Sequence, residues 1–258
     1  MRVFVDAGLP DFLPVARGNP CRVVIADTEP QTTPLPSDVT QCNTWLAGDG
    51  VPHVRCWTPG GEPISLCGHG LLSCGTSWTK RGQAASQMVM NQNHVKFELD
   101  GDISWVGFDA VTCESAPVPH WVVGEFGSQP ASAAVAGGDA GYLILRWPDN
   151  ADLRELPVPG SALAAHTSRA VIATCADTLT PELDIRQRYF APQHGIAEDI
   201  ATGSAMRVLA HFWQTQSGVG ELRAWQCSPE GGHLFSRVEA GITWVGGRVE
   251  WSDENGGR

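Results

Sequence analysis

The sequence predicts an α+β protein with two pseudo-symmetric halves, each a curled, barrel-like β-sheet around a central helix. Residues 55–70 read RCWTPGGEPISLCGHG and residues 188–203 read RYFAPQHGIAEDIATG, so one pattern occurs twice along the chain. The ungapped alignment pairs Arg55 with Arg188, Trp57 with Phe190, Pro59 with Pro192 and Gly70 with Gly203. Each copy leads from a strand-like segment through a proline-containing loop into a glycine turn and an apolar stretch, which indicates a duplicated fold.

Short strands are predicted on both sides of each apolar stretch. In chain order the predicted strands are 2–6, 21–26, 53–57, 94–99, 103–108 and 120–124, then 141–147, 169–174, 185–190, 221–226, 234–239, 242–245 and 247–251. The stretches LLSCGTSW and SAMRVLAHFW predict the central helices. Because AMRVLAHFW is apolar on all sides, a sheet that curls around it is the economical way to bury it.

The remaining segments complete the predicted organisation. Shorter helices are expected near residues 35–42 and 151–156. Residues 126–140 are rich in Gly, Ala and Ser and are predicted to form a loop between the halves. The two halves then comprise residues 1–118 and 119–258.

The composition is that of an acidic globular protein with a core of ordinary size. The 258 residues are 42% hydrophobic and carry a formal net charge of -11, which argues against extensive disorder. The 17 Lys and Arg residues are scattered, whereas phosphate recognition uses clustered cations. We therefore expect no nucleic-acid partner, although local donors can still bind a small carboxylate.

The sequence also predicts a cytoplasmic protein without membrane contact. No segment approaches the roughly 18 consecutive apolar residues of a membrane span, and MRVFVDAGLP lacks the pattern of a signal peptide. The eight cysteines are dispersed, and neither a CxxC pair nor a Cys/His cluster with zinc-finger spacing occurs. This pattern predicts free thiols in the core and no structural metal.

The two glycine turns are candidate binding elements for a carboxylate substrate. A helix N-terminus carries unsatisfied backbone N–H groups and the positive end of the helix dipole. Two such ends that face each other would hold a carboxylate from both sides. Arg55 and Arg188 lie on the strands that lead into these turns and are expected to brace backbone carbonyls or a carboxylate.

The run RYFAPQHGIAEDIATGSAMRVL resembles the signature of the PhzF-like family, named for the isomerase of phenazine biosynthesis, within the diaminopimelate epimerase superfold. GNPCRVV, RCWTPGGEPISLCGHGLLSCG and Gln226 occur in the family's order, so the resemblance spans nearly the whole chain. It implies an active site in the cleft between the halves and cofactor-free proton chemistry on a small carboxylate-bearing molecule. It also implies a homodimer.

The resemblance implies roles for individual residues. His69 and Asp199 match the acid/base positions, and Asn19 matches a position near the substrate. The expected backbone N–H donors for the developing charge lie around Gly70, Gly203 and Ser204. Asp199 could instead be a helix cap, because it precedes a glycine turn, and His69 could be an ordinary polar residue.

One position departs from the family pattern. The family isomerases have a catalytic Glu shortly before a Thr-aromatic pair, and here that segment reads SDVTQCNTWL with Cys42 in the corresponding place. Cys42 could be a substitute base, since a thiol near a positive helix end can have a lowered pKa, or it could be a small apolar filler. A shifted alignment would bring Asp38 forward instead.

Other chemistries on the same scaffold are the alternatives. Racemases of the superfold use one thiol at each helix N-terminus, but here Cys67 is aligned with Ile200, which transfers no proton. Cys67 or Cys42 could instead act opposite Asp199, or Cys67 could be a buried structural thiol. Our first hypothesis is a cofactor-independent isomerase of a biosynthetic pathway, with a substrate that is expected to be cyclic. Elimination, hydration or cyclisation of a carboxylate, and a non-catalytic binding protein, are the other hypotheses.

Overall fold

The chain forms one continuous sheet that rolls around two long helices. The computed structural model describes residues 1–7, 16–30, 33–83 and 85–251. The sheet has 16 strands: β1 (Arg2–Val5), β2 (Asn19–Ile25), β3 (Thr40–Leu46), β4 (Pro52–Trp57), β5 (Pro63–Ile64), β6 (Gln87–Met90), β7 (Asn93–Asp100), β8 (Ile103–Asp109), β9 (Cys113–Ala116), β10 (Ser132–Ala136), β11 (Tyr142–Arg146), β12 (Ala170–Ala176), β13 (Ile185–Phe190), β14 (Glu221–Gln226), β15 (Gly232–Glu239) and β16 (Ile242–Glu250). The helices are α1 (Gly68–Lys80), α2 (Val122–Phe126), α3 (Leu163–His166) and α4 (Gly203–Ser217).

The first half is a closed barrel around α1. Its strand order is β1-β2-β3-β4-β6-β7-β8-β16, and pairing of β16 with β1 completes the ring. Helix α1 is buried from Gly68 to Trp78. Small residues make this possible, because Gly75 lets the ring of Phe97 pack directly on the helix backbone.

The second half continues the same sheet around α4. From β16 the order runs β15-β14-β13-β12-β11-β10-β9, and α4 packs on β9, β14, β15 and β16. The helix ends at Gly218, whose φ of 73° is a left-handed conformation that glycine adopts without strain. The α+β fold with a sheet curled around a helix in each half is therefore confirmed. Strand β16 lies between β8 of the first half and β15 of the second, and it also pairs with β1. The last strand of the chain therefore closes the first barrel. The predicted division into halves after residue 118 stays a prediction.

Several of the predicted elements differ from the structure, and burial and strand pairing explain the differences. Residues 120–124 were expected as a strand, but α2 forms there because Val122 and Phe126, four residues apart, both pack into a second apolar core. This core covers the outer face of the second sheet. The expected loop over 126–140 contains β10, whose small residues pair with β9 and β11.

The third correction concerns the segment before β3. A helix was expected at 35–42, but Thr40 already begins a strand that pairs with β2 and β4. The predicted helix at 151–156 is a single 3₁₀ turn, Leu153–Glu155, and the Asp152 carboxylate accepts the Arg154 backbone N–H. None of the helices in the described part of the chain has the length and apolar character needed to cross a membrane.

We predict that Gly75→Ala destabilises the protein. Alanine favours a helix over glycine by about 1 kcal/mol, but its methyl group would overlap the buried Phe97 ring. Overpacking a core costs about 1–3 kcal/mol, so the free energy of unfolding should fall by up to about 2 kcal/mol in urea denaturation.

Gly124→Ala is the matched control for this substitution. Gly124 is also helical, but no atom lies within 4 Å of the place that its methyl group would take. We expect this variant to be unchanged or slightly more stable. An equal loss of stability in both variants would contradict the packing argument.

Candidate active site

Helices α1 and α4 approach each other at their N-termini. The residues that precede them, Cys67 and Thr202, have nearly the same extended backbone, with φ −127° and ψ 95° against φ −121° and ψ 101°. A methyl group on Gly68 would lie 3.2 Å from the Gly203 Cα atom, so this contact needs glycine. In neither helix does the cap residue's side chain bond the free N–H groups of the first turn.

This contact shows that the ungapped sequence alignment is out of register by two residues. The alignment paired Gly70 with Gly203, but the structure places Gly68 opposite Gly203. Gly70 is buried in the first turn of α1 and faces three cysteine sulfurs. The free N–H groups of the helix start, which were expected around Gly70, therefore lie around Gly68, and their binding of a carboxylate stays a prediction.

The same shift changes the partner of Cys67. As the cap of α1, Cys67 corresponds to Thr202, the cap of α4, and the alignment with Ile200 was wrong. The position that a second thiol would occupy in a two-thiol racemase therefore holds a hydroxyl group.

A cleft of ≈ 550 Å³ opens at the junction of the two helices. Of the predicted site residues, it is lined by Asn19, Cys67, His69, Asp199, Gly203 and Ser204. Sequence reasoning did not single out Tyr189, Glu198 or His194, which also line it. A larger cavity of ≈ 700 Å³ near Arg2 and Arg248 is lined by none of the predicted site residues.

Asp199 is held at the cleft by hydrogen bonds from both halves. Its Oδ1 atom accepts from Asn19 Nδ2 at 3.0 Å and from its neighbour's backbone N–H at 2.9 Å, while Oδ2 accepts from Thr202 Oγ1 at 2.6 Å. Asn19 also donates to the Ala201 carbonyl at 3.0 Å. Burial raises the pKa of Asp199, against the opposing effects of His69 and Thr202, which makes its carboxylate a better base.

A buried glutamine fixes the backbone of the loop before α4. Gln226 Oε1 accepts the Thr202 backbone N–H at 2.8 Å and Gln187 Nε2 at 2.9 Å, and its Nε2 donates to the Asp199 carbonyl at 2.7 Å. The amide therefore sets the position of Asp199 and of the α4 cap. Such a residue is found from a family motif and not from periodicity.

Arg188 has the bracing role that was expected of it. It is buried and donates to the carbonyls of Leu153 and Leu156, at 2.9 and 2.5 Å, and pairs with Glu198. Arg55 is half-exposed and pairs with Glu29. The two arginines therefore share a place in the repeat but not an environment.

Cys67 and His69 form an electrostatic pair on the first half. The Cys67 Sγ atom lies 3.6 Å from His69 Nδ1. Hydrogen bonds from Cys42 and Cys56, with the charge of His69, lower the pKa of Cys67 well below its usual range despite burial. Burial opposes the charged form of His69, but Cys67, together with smaller contributions from Cys21 and Asp199, outweighs it, and the pKa of His69 is raised to about 10.

The structure separates Cys42 from the cleft and brings Asp38 to it. Cys42 is fully buried in β3 against other thiols and does not line the cleft. Burial raises its pKa well above the usual range, the opposite of what a thiol base needs. Asp38 lines the cleft just before β3 begins. The mistaken helix at 35–42 hid this placement, since a strand start at Thr40 puts Asp38 in the preceding loop.

The fold and this two-sided cleft define the class of protein, a sheet rolled around two helices whose N-termini meet at a cleft, and comparison with known proteins specifies the family. The phenazine biosynthesis-like protein family, PhzC-PhzF, matches residues 121–243. An uncharacterized isomerase of Vibrio cholerae is 30% identical over 235 residues, which cover 85% of this chain and 78% of the relative. The chain belongs to the phenazine biosynthesis-like family.

Solved structures share the fold. A PhzF-family protein of Enterococcus faecalis superposes with a TM-score of 0.75 at 21% identity and covers 96% of this chain and 94% of its own. A hydroxyproline epimerase of Agrobacterium vitis has a TM-score of 0.53 at 12% identity, with 81% and 72% covered. These similarities confirm the diaminopimelate epimerase-like fold that the sequence motifs predicted.

We predict that His69 titrates near pH 10. Cys67→Ala should lower the pKa of His69 by more than about one unit, because burial still opposes the imidazolium charge when its main partner is gone. The folded-state pKa is raised from 6.5, so the stability that the His69 charge contributes is complete below pH 6.5 and is lost as the pH rises through about 10. NMR titration of the imidazole signals measures the shift. Cys113→Ala, a change outside this pair, should leave the pKa unchanged, and an unchanged value in Cys67→Ala would contradict the pairing.

Proposed function

We propose that the protein is a cofactor-independent isomerase that moves a proton within a small, cyclic, carboxylate-bearing metabolite of a biosynthetic pathway. One observation carries the proposal: two helix N-termini without side-chain caps converge on one cleft, and each has a proton-transfer group beside it. Cys67 and His69 stand at α1, and Asp199 stands before α4. Membership of a family with isomerase relatives supports the same reaction class.

The substrate carboxylate binds at the junction of Gly68 and Gly203. First-turn N–H groups of both helices are free of intrahelical partners, and both dipoles place their positive ends at this point. Ser204 adds a further backbone N–H and a hydroxyl that lines the cleft. These donors also stabilise the enolate-like charge that forms when a proton leaves the adjacent carbon.

Proton transfer then needs one base and one acid. Asp199, with its pKa raised by burial, removes a proton from a substrate carbon, and the C–H electron pair moves into the conjugated system next to the carboxylate. His69, protonated beside Cys67, returns a proton to a second carbon. One C–H bond breaks, another forms and a double bond shifts, so the reaction needs no oxidant or reductant.

Epimerisation is the second candidate, and the placement of Cys67 favours it. Cys67 lines the cleft as a thiol of lowered pKa at a helix N-terminus, where it would act as a base. Because Thr202 occupies the equivalent place in the other half, Asp199 would return the proton to the opposite face. This reaction inverts one carbon and leaves the double bonds in place.

We expect enzyme-dependent incorporation of solvent deuterium into at least one member of a panel of cyclic and acyclic amino and hydroxy acids, read by mass spectrometry. Asp199→Asn and His69→Ala should each lower the exchange rate by about 10²–10⁴-fold, the usual contribution of a general acid or base. NMR of the product separates a shifted double bond from an inverted carbon.

Two surface substitutions serve as controls. Asp149→Asn removes an exposed partner of Arg146, and His166→Ala removes a partly exposed ring outside the cleft. Both should retain full exchange. Saturable binding of one compound without exchange would instead identify a binding protein. A change in product mass beyond the incorporated deuterium would identify elimination or hydration, and a new ring in the product's NMR spectrum would identify cyclisation.

We also propose that Asp38, and not Cys42, takes the place of the family's catalytic Glu in the first half. Asp38→Asn should lower the exchange rate by at least about tenfold if this carboxylate contacts the substrate, whereas Cys42→Ala should change it by less than about threefold. A larger loss of exchange in Cys42→Ala than in Asp38→Asn would instead assign that place to the Cys42 thiol. The same samples in size-exclusion chromatography test the expected homodimer, which stays a prediction, as does the cytoplasmic location.

A further inference from the structure

A group of thiols lies inside the first barrel, and the proposed reaction uses one of them. Cys42 and Cys56 are direct partners across β3 and β4, and their sulfurs are 2.6 Å apart. Cys67 joins them at the start of α1, so that the three sulfurs lie within 4.8 Å of one another. Their residues are 0, 2 and 4% exposed, and the Cys21 sulfur is 3.6 Å from that of Cys42.

Gly70 allows these sulfurs to come together at the first turn of α1. A methyl group on Gly70 would lie 2.5, 2.6 and 3.0 Å from the sulfurs of Cys42, Cys56 and Cys67. The three sulfurs therefore pack directly on the Gly70 backbone, and any larger residue there would displace them.

We propose that Cys42, Cys56 and Cys67 bind a single Cu(I) ion through three thiolate sulfurs. Thiolates are the soft ligands that select Cu(I) and zinc. A structural zinc site takes four ligands, whereas the ligand atoms that lie together in the described residues are three sulfurs, a number that suits Cu(I). At about 2.3 Å from a shared ion the sulfurs would be about 4 Å apart, so the Cys42 and Cys56 sulfurs separate on binding.

The position of the group supports an anionic metal site that ions can reach. Three thiolates with Cu(I) carry a net charge of −2, and Cys67 places them at the N-terminus of α1, where the helix dipole stabilises negative charge. Each thiol that ligates releases its proton to solvent. Cys67 lines the cleft, so an ion that enters the cleft meets the first ligand there.

Occupancy would also affect catalysis, and this part rests on the proposed function. An ion bound to Cys67 occupies the sulfur of a residue that lines the cleft, so Cu(I) should inhibit deuterium exchange. Metal binding itself is measured without substrate. A failure of the proposed reaction therefore leaves the metal proposal intact, and the reverse also holds.

The test is anaerobic titration of the reduced full chain with Cu(I), in competition with the chromogenic chelator bicinchoninate, followed by elemental analysis of the protein. We expect one Cu(I) per chain. Cys42→Ser and Cys56→Ser should each weaken Cu(I) binding by at least about 100-fold. Loss of a residue that only hydrogen-bonds to a ligand already costs up to about 100-fold in metal affinity, and loss of a ligand itself should cost no less. Gly70→Ala should weaken Cu(I) binding as well, because its methyl group would displace the three sulfurs.

Cys175→Ser is the matched control, since Cys175 is a fully buried thiol in the second half. It should bind Cu(I) like the native chain, and thermal melts verify that each variant is folded. Equal Cu(I) binding by native protein and by the Cys42→Ser, Cys56→Ser double variant would overturn the proposal. So would a Cys42–Cys56 disulfide in protein purified without reductant, found by peptide mass spectrometry.

Discussion

The close approach of two helix N-termini is the constraint on which the rest of the structure depends. Gly68 and Gly203 meet backbone to backbone, and any larger residue at this contact would push the helices apart. Each helix must then start at the centre of the molecule, enclosed by its own sheet, so that the shared strand β16 holds the two sheets in register. Asn19 completes the junction, because it reaches from β2 to the loop before α4.

This geometry concentrates positive potential in a protein of net charge -11. Free N–H groups and helix dipoles act over a short range, so the junction of the two helices favours negative charge locally even though the molecule as a whole is acidic. Hydrogen bonds from Cys42 and Cys56, with the charge of His69, lower the pKa of Cys67, and Cys67 in turn raises the pKa of His69. The charge of the His69 imidazole therefore depends on the neighbouring thiols as much as on its own side chain.

The sequence predicts the duplicated fold and most of the cleft, for identifiable reasons. The helix starts are marked by glycine next to an apolar stretch, and His69 and Asp199 lie within motifs that fix their place. The register of the repeat was not predictable. The loop that leads into the helix is two residues longer in the second copy than in the first, and only the Gly68–Gly203 contact reveals this. The strand β3 was missed, and with it the position of Asp38, because its polar residues Thr40, Gln41 and Thr44 are buried inside the barrel and do not alternate with apolar ones.

The two halves have diverged in chemistry while they retain their shape. The α1 end carries a thiol and an imidazole, and the α4 end carries a hydroxyl and, four residues before its first helical residue, a carboxylate. Two identical bases would treat the two faces of a substrate alike, as a racemase requires. Here the two ends differ, because burial raises the pKa of Asp199 while the Cys67 sulfur raises that of His69. In the reaction that we propose, one proton would therefore leave the substrate for Asp199 in the second half, and another would arrive from His69 in the first half.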